Sequence, residues 1–462
     1  MPKTKTLSPA GRHEAGRRQF VVKQGHWLRG NLREMQRDPL GLCSRAQQAC
    51  GDYVQIRIVA GIQCYLLTHP DAVEHVLHKN HRNYRKPSRF YRTMGLLVGD
   101  GLFTSEGEAW HRRRQLAQPA FHRQHLVMLG PLIMEGAEAF VREQANTLGT
   151  PIDMLRGMMK VGMRIASTTL FTSDISGDAD AVGKAYRTAF QHISHRLNSM
   201  QLVPNWMPTR KNRSFARAKG FLDQMVMDLI AARRVSANKP RDLLTLLLEA
   251  RDQRLGEPMT DRQLMNEVLT LLTAGHENIG AALAWTWYLI AKHPDVQRDL
   301  HAELDARLQG RCPTIDDLSE LPLLTAVFEE SMRLFPPGWG QLRESIAEDE
   351  INGYPIPSKA MILLSQWVTH RHPDFWENAE QFKPERFLAA DSKRHRFAYF
   401  PFGGGPRICI GLQFAMIEGP LVLATILRKF RGELVPDQDV VPDATFTLLP
   451  KYGLKMVLHA RP

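Results

Sequence analysis

Phe402-Gly403-Gly404-Gly405-Pro406-Arg407-Ile408-Cys409-Ile410-Gly411 places one cysteine among glycines, with an arginine two residues before it and a helical run from about Leu412 to Phe430 after it. The commonest use of a free cysteine is as a small buried hydrophobe, which leaves the glycines unexplained. A phosphate loop needs GxxxxGK[ST] or GxGxxG ahead of the helix, and Gly403-Gly404-Gly405 supplies neither the lysine nor the spacing. A thiolate metal ligand accounts for more. The positive end of the following helix and nearby N–H groups lower a cysteine pKa, and glycine lets a flat cofactor approach the backbone. A lone thiolate suits haem iron.

Phe402, Gly405, Arg407, Cys409 and Gly411 match all five fixed positions of FxxGxRxCxG. Chance produces such a match in about one chain in ten thousand of this length. The segment resembles the haem-binding signature of the cytochrome P450 superfamily. The resemblance implies haem b, iron protoporphyrin IX, with Cys409 as the proximal thiolate whose electron donation favours O–O cleavage, and Arg407 as a donor to a haem propionate.

Glu330-Ser-Met-Arg333 sets a carboxylate and a guanidinium on one helix face at i, i+3, a pair that on an exposed helix contributes only about 0.2 to 0.5 kcal/mol. It resembles the family's ExxR motif, and Pro384-Glu385-Arg386-Phe387 resembles the segment that completes a buried Glu-Arg-Arg cluster. Glu330, Arg333 and Arg386 are therefore expected to support the cysteine loop. Trp110 and Arg114, at i, i+4, resemble the family's propionate-binding WxxxR pair, and Arg343 its other propionate arginine.

Ala274-Gly-His-Glu-Asn-Ile279 is not a zinc motif, because HExxH requires a histidine where Gly280 stands. It resembles the family's groove motif over the haem, where the helix bulges to admit dioxygen; this implies catalytic roles for Gly275, Glu277 and Asn278. An interior glycine costs about 1 kcal/mol relative to alanine, which a groove would explain; packing against a neighbour is the competing explanation. The chain departs from the motif at Asn278, where an alcohol normally follows the acid. An amide donates and accepts hydrogen bonds but does not relay a proton as a hydroxyl does. Proton delivery is expected to be shared among Glu277, Asn278, water and a substrate hydroxyl.

Working outward, the chain has 462 residues, 43% of them hydrophobic and 23% charged, enough for a large core. Hairpin strands are expected at Tyr53–Ile58 and Ile62–Leu67, joined around Ala60-Gly61. A helix follows from Pro70 to His78. Ser105 and Glu108 suggest a capping box for a helix reaching about Gln118. Apolar spacing predicts helices near 125–147, 153–170, 178–199, 213–235 and 241–252. Thr260 and Gln263 cap a helix of about thirty residues that stops before Pro294. Further helices are expected near 295–308 and from Pro322 to Leu334, then strands around Arg343, Tyr354 and Met361–Val368, and a β pair within 444–459. The expected class is mainly α: the cytochrome P450 fold, a triangular helical prism with a small β-rich region. Residues 1–462 are expected to form one catalytic domain, with 1–30 a basic extension lacking signal peptide or anchor.

Sixty Lys and Arg against 48 Asp and Glu favour an acidic partner, but scattered basic residues without interleaved aromatics argue against nucleic acid. Cys43, Cys50, Cys64, Cys312 and Cys409 are odd in number and form no CxxC pair, which fits a reducing cytoplasm better than a disulfide or zinc framework. Ile279–Ala291 is too short to cross a bilayer, so no membrane insertion is expected. The resemblance implies a monomeric monooxygenase that hydroxylates or epoxidises a lipophilic small molecule such as a terpenoid or fatty acid. Electrons would come from a separate ferredoxin- or flavodoxin-type partner and its reductase, docking on basic residues that include Arg112, Arg113, Lys393, Arg394 and Arg396. The substrate pocket is expected to include Leu271, Ala274, Trp339, Thr447 and Leu448. Arg89 and Arg92 are surface residues or, less favoured, partners of a substrate carboxylate. A haem-thiolate peroxygenase or oxidative cyclase, and a non-enzymatic haem sensor or carrier, are the alternatives.

Overall fold

The computed structural model describes residues 18–461 apart from 24, 27–29, 60–61, 173–178, 199–202, 238, 253–255 and 389–393. Its axis is the helix Asp261–Lys292. The predicted capping box starts it: the Gln263 N–H donates to Thr260 Oγ1 at 3.3 Å, and Gln263 Oε1 accepts from the Thr260 N–H at 2.9 Å. Pro294 then forbids a further turn of the same helix and begins the next one, Pro294–Leu308. Apolar residues face inward on nearly all sides of the axis from Leu264 to Ile290, so it is surrounded by other helices.

Its main neighbour is the helix Met154–Phe171. Two glycines allow the approach. A Cβ on Gly280 would sit 2.8 Å from Met159 Sδ and 3.0 Å from Met159 Cα, and one on Gly162 would sit 2.8 Å from His276 O. Gly275 differs, since a Cβ there meets only Ala166 Cβ at an ordinary 3.7 Å. Helix packing therefore explains Gly280 and leaves Gly275 to another cause. The helix is unbroken through both glycines, without the interruption the groove motif suggested.

A six-stranded sheet flanks the helices in the order Val21–Lys23, Tyr53–Val59, Ile62–Leu67, Met361–Leu364, Gln341–Ser345, Tyr84–Arg85. The predicted hairpin pairs Val54 with Leu66 and Ile56 with Cys64; its Ala60-Gly61 turn lies outside the described residues. Val21–Lys23 runs parallel to Tyr53–Val59, so part of the supposed basic extension is the sheet's edge strand.

Other expectations need correction. The helix near 105–118 is Gly107–Ala117, and its N-cap is Glu106 without a side-chain cap, because Ser105 is buried with its carbonyl on Lys86 Nζ. The 125–147 helix divides into Arg123–Met128 and Gly130–Gln144, Pro131 sitting at the second start. The strand at 361 ends at Leu364, where Ser365 accepts from the Val368 N–H and turns the chain into a short helix. The terminal β pair is Pro442–Ala444 with Leu448–Pro450, whereas Lys455–Ala460 joins Phe430–Leu434 and Pro151–Asp153. All five cysteines are free. No helix among the described residues is long and apolar enough to cross a membrane.

Candidate functional site

The cysteine loop is closed by its own backbone. The Cys409 N–H donates to Phe402 O at 3.0 Å and the Ile408 N–H to Gly405 O at 3.1 Å. Gly405 has φ +64, and a Cβ there would collide with the Leu77 carbonyl, so the fourth position of the motif must be glycine for two reasons. Gly411 is the N-cap of the helix Leu412–Leu427, and its N–H reaches the Cys409 sulfur. The thiol pKa is nonetheless raised: burial outweighs the help of the Gly411 N–H and the Arg114 charge. The helix end alone therefore does not make Cys409 a thiolate, contrary to the sequence expectation; coordination to a metal would.

Arg114 serves the loop directly, with Nη1 donating to Ile408 O at 2.8 Å. Trp110, one turn earlier and buried, lies under Arg407, whose guanidinium carbon is 4.3 Å from the ring centroid. Arg407 Nη2 donates to Glu106 Oε2 at 2.6 Å, while its Nη1 is buried without a partner. Arg343, also buried, donates to Leu342 O at 2.9 Å and to Gln341 Oε1 at 3.3 Å. Sequence reasoning missed Lys86 in this group. Its Nζ donates to the carbonyls of Phe103 at 2.6 Å, Ser105 at 3.2 Å and Leu102 at 3.3 Å, and burial, with the Arg407 charge next, pushes its pKa down to about 7.

Glu330 and Arg333 form a buried two-armed pair, Nε to Oε2 and Nη2 to Oε1, both 2.7 Å. Arg333 also donates to the carbonyls of His370, Ala379 and Gln381, the meander leading to the cysteine loop. Arg386 Nε stands 3.4 Å from Glu330 Oε1, near but without a formed hydrogen bond.

On the long helix, Ala274 is exposed although Leu272, Thr273, His276 and Ile279 around it are buried, and Cys409, enclosed by enough protein to raise its thiol pKa, still keeps accessible surface on its loop. Accessible space adjoins each of them. Asn278 Nδ2 donates back to Ala274 O at 3.1 Å. Burial raises the Glu277 pKa to about 7, the Thr447 hydroxyl opposing the rise, and Glu277 Oε2 is sealed from solvent without a partner.

The family model for Cytochrome P450 matches residues 22–457. This chain belongs to the cytochrome P450 family. It is 34% identical to a cyclooctat-9-en-7-ol 5-monooxygenase of Streptomyces melanosporofaciens, over 88% of each chain. It is 31% identical to a pentalenene oxygenase of Streptomyces avermitilis, over 94% of this chain and 95% of the relative. The crystal structure of the cytochrome P450DA heme domain superposes with a TM-score of 0.89 at 26% identity, over 96% of this chain and 98% of that one. The chain is a haem monooxygenase with the cytochrome P450 fold.

The residues of this P450 fit a haem. A buried guanidinium with an unpartnered Nη1 suits a propionate, and a cysteine on a glycine-bounded loop suits the iron. Of the expected pocket residues, Leu271 and Trp339 are partly buried and Thr447 is 1% exposed. Leu448 is fully enclosed, its carbonyl accepting from Trp285 Nε1, so it backs the wall. Phe446 is the aromatic hub, with Phe90, Phe103 and Phe190 at centroid distances of 6.3, 6.2 and 5.7 Å. Arg89 and Arg92 are exposed. Among the docking cations, Arg112 pairs with Asp252, Arg113 pairs with Asp100, and Arg394 lies over the Trp376 ring, so these charges are already engaged within the chain. Lys393 lies outside the described residues.

Proposed function

We propose that Cys409 Sγ would bind the haem iron and that Arg407, Arg343, Trp110 and Arg114 would hold the propionate side. The arrangement of Cys409 carries this reading: a loop locked by two backbone bonds presents the sulfur with one N–H and one guanidinium beside it. Haem, when bound, supplies the activation of dioxygen by electrons. The chain supplies the rest. Gly405 and Gly411 shape the floor; Glu330, Arg333 and Arg386 brace the meander behind it. Gly275, which helix packing does not require, leaves the groove above. Glu277, with a pKa near neutrality, holds a proton beside that groove, and Asn278 fixes the helix turn through Ala274 O.

The substrate in this proposal is a terpenoid that the enzyme hydroxylates or epoxidises. The aromatic wall around Phe446 supports a lipophilic skeleton, and two relatives are named for cyclooctat-9-en-7-ol and pentalenene. A separate ferredoxin- or flavodoxin-type protein supplies electrons, a reading supported by the basic charge balance. Five free cysteines support a reducing cytoplasm. The test is spectroscopic: the reduced protein with carbon monoxide gives the red-shifted Soret band of a thiolate complex, and Cys409→Ala loses it. A terpenoid panel screened for the spectral shift on displacement of the distal water then tests the substrate class; binding by fatty acids alone would replace that class.

A further inference from the structure

Three consecutive glycines of the cysteine loop each face a wall. A Cβ on Gly403 would meet Gln341 Nε2 at 2.8 Å, and one on Gly404 would strike the Phe397 ring. Both of those walls are side chains, which can rotate away. The third is main chain: a Cβ on Gly405 would collide with the Leu77 carbonyl and lie 3.3 Å from His78 Cα. Backbone yields only if its whole turn moves, so what holds that turn bears on where the cysteine stands.

Leu77 and His78 belong to His75–Lys79, a π-type turn that continues the helix Pro70–Glu74. The Asn80 N–H closes it on His75 O at 2.8 Å, one residue wider than an α-helical bond. Both ends of the turn are bonded to one carboxylate. Asp349, first residue of the strand Asp349–Ile351, accepts on Oδ2 from His75 Nε2 at 2.8 Å, Asn80 Nδ2 at 3.0 Å and Tyr84 Oη at 2.6 Å. Its Oδ1 accepts from the Glu350 N–H at 2.8 Å. Burial opposes ionisation of Asp349, but the donors, Tyr84 foremost, outweigh it and hold the carboxyl below its usual range. Val76 and Leu77, between the two anchors, pack in one cluster with Ile351, Ile356, Phe397 and Phe400. Apolar contact favours closeness without direction, whereas the bonds to Asp349 set the rotation of the turn and so the aim of the Leu77 carbonyl.

We propose that Asp349 is a positioning residue for Cys409: by gathering both ends of the His75–Lys79 turn, it seats the Leu77 carbonyl against Gly405 and fixes the loop that carries the sulfur. The inference rests on the reading of Cys409 as the iron ligand. It adds a support on the side of the loop away from the meander, which Arg333 holds through His370, Ala379 and Gln381.

Hydrogen exchange of the full haem-loaded chain, read by mass spectrometry, tests this without turnover. The amides of Gly403, Ile408 and Cys409 are bonded within the loop, to Phe400 O, Gly405 O and Phe402 O, and report on it directly. In Asp349→Ala they exchange about tenfold faster than in wild type, as expected for losing hydrogen bonds to a charged group. The red-shifted Soret band of the reduced carbon monoxide complex decays faster by a similar factor. Tyr84→Phe removes one donor, gives a smaller change in the same direction, and serves if Asp349→Ala does not fold. Faster exchange confined to 75–80 and 349–356, with the loop amides unmoved, overturns the inference. Thr245→Val, which removes an acceptor of Arg233, supplies a baseline; if it speeds the loop amides as much, the effect is general destabilisation and the inference again falls. Cys409→Ala separates the two readings. If that variant keeps the red-shifted band, the ligand reading falls, and the loop amides still decide whether Asp349 holds the loop. If it loses the band while Asp349→Ala leaves the loop amides unchanged, the inference falls alone.

Discussion

Arg407 and Glu106 meet where the Trp110 helix begins, Nη2 to Oε2 at 2.6 Å, and the other oxygen of Glu106 accepts from the Lys86 N–H at 3.0 Å. One arm of the guanidinium is thus spent on the chain, while Nη1 is buried and unpartnered. In the proposed reading the fork serves two acids at once, Glu106 and a propionate of the cofactor. A lysine keeps the charge but not the two directions. Arg407→Lys is therefore expected to keep the fold and to release haem about tenfold faster, the loss of roughly one charge-assisted hydrogen bond. Transfer of haem to apomyoglobin measures the rate; an unchanged rate removes Arg407 from the propionate side.

The two motif glycines nearest the sulfur should differ sharply. Gly405 combines φ +64 with a blocked Cβ position, whereas Gly411 has φ −84 and its Cβ would meet Cys409 Sγ at an ordinary 3.9 Å. Gly405→Ala is expected to abolish the thiolate carbon monoxide band, and Gly411→Ala to leave a folded protein. Circular dichroism and the reduced carbon monoxide spectrum of both variants check the contrast. Equal damage from both would mean that close approach to the cofactor, rather than the backbone, selects Gly411.

Glu330, Arg333 and Arg386 were expected to act as one cluster, and the geometry grades them. Breaking the fully buried Glu330–Arg333 pair leaves an unpaired interior charge, which costs about 3 to 5 kcal/mol, and Arg333→Ala also strips donors from three meander carbonyls. Arg386, at 3.4 Å and with its Nε unbonded, should cost less, about 1 kcal/mol. Denaturant unfolding of Arg333→Ala and Arg386→Ala gives the order; a larger loss at Arg386 would reverse it.

Local chemistry made parts of this molecule legible and hid others. The capping box at Thr260 and Gln263 was readable because both partners lie within one turn, and the hairpin because alternating strands adjoin. Ser105 misled, since the same short pattern is overridden when Lys86, nineteen residues earlier, takes its carbonyl. The glycines of the long helix looked alike in sequence; only the facing helix shows that Gly280 serves packing and Gly275 does not. Lys86, Glu106, Phe103 and Phe190 were missed because their partners are distant in the chain and no spacing rule connects them. The Asn278 departure was visible at once, because it breaks the motif within a single stretch of sequence.

Glu267 offers a test of how the loop over the pocket is held. Its Oε2 accepts from the Leu102 N–H at 2.9 Å, and its Oε1 lies 3.4 Å from Arg113 Nε. Burial wins over both, raising the pKa from 4.5 to about 7. Between those values the folded chain binds a proton that the unfolded chain has lost, so this group makes stability fall as pH rises from about 4.5 to about 7, and it adds no further slope above that. The span corresponds to a loss on the order of 3 kcal/mol. His276, pushed down to about 4, works in the opposite direction between pH 4 and 6.5, and Lys86, pushed down to about 7, does so between 7 and 10.5. Whole-protein curves therefore mix these contributions with those of other shifted groups, Glu277 among them, and the difference between wild type and Glu267→Gln isolates one. Denaturant midpoints from pH 5 to 8 should show the variant gaining on wild type as pH rises to about 7 and then running parallel. A constant difference across that range would mean that the Leu102 hydrogen bond and Arg113 keep the carboxylate charged despite its burial.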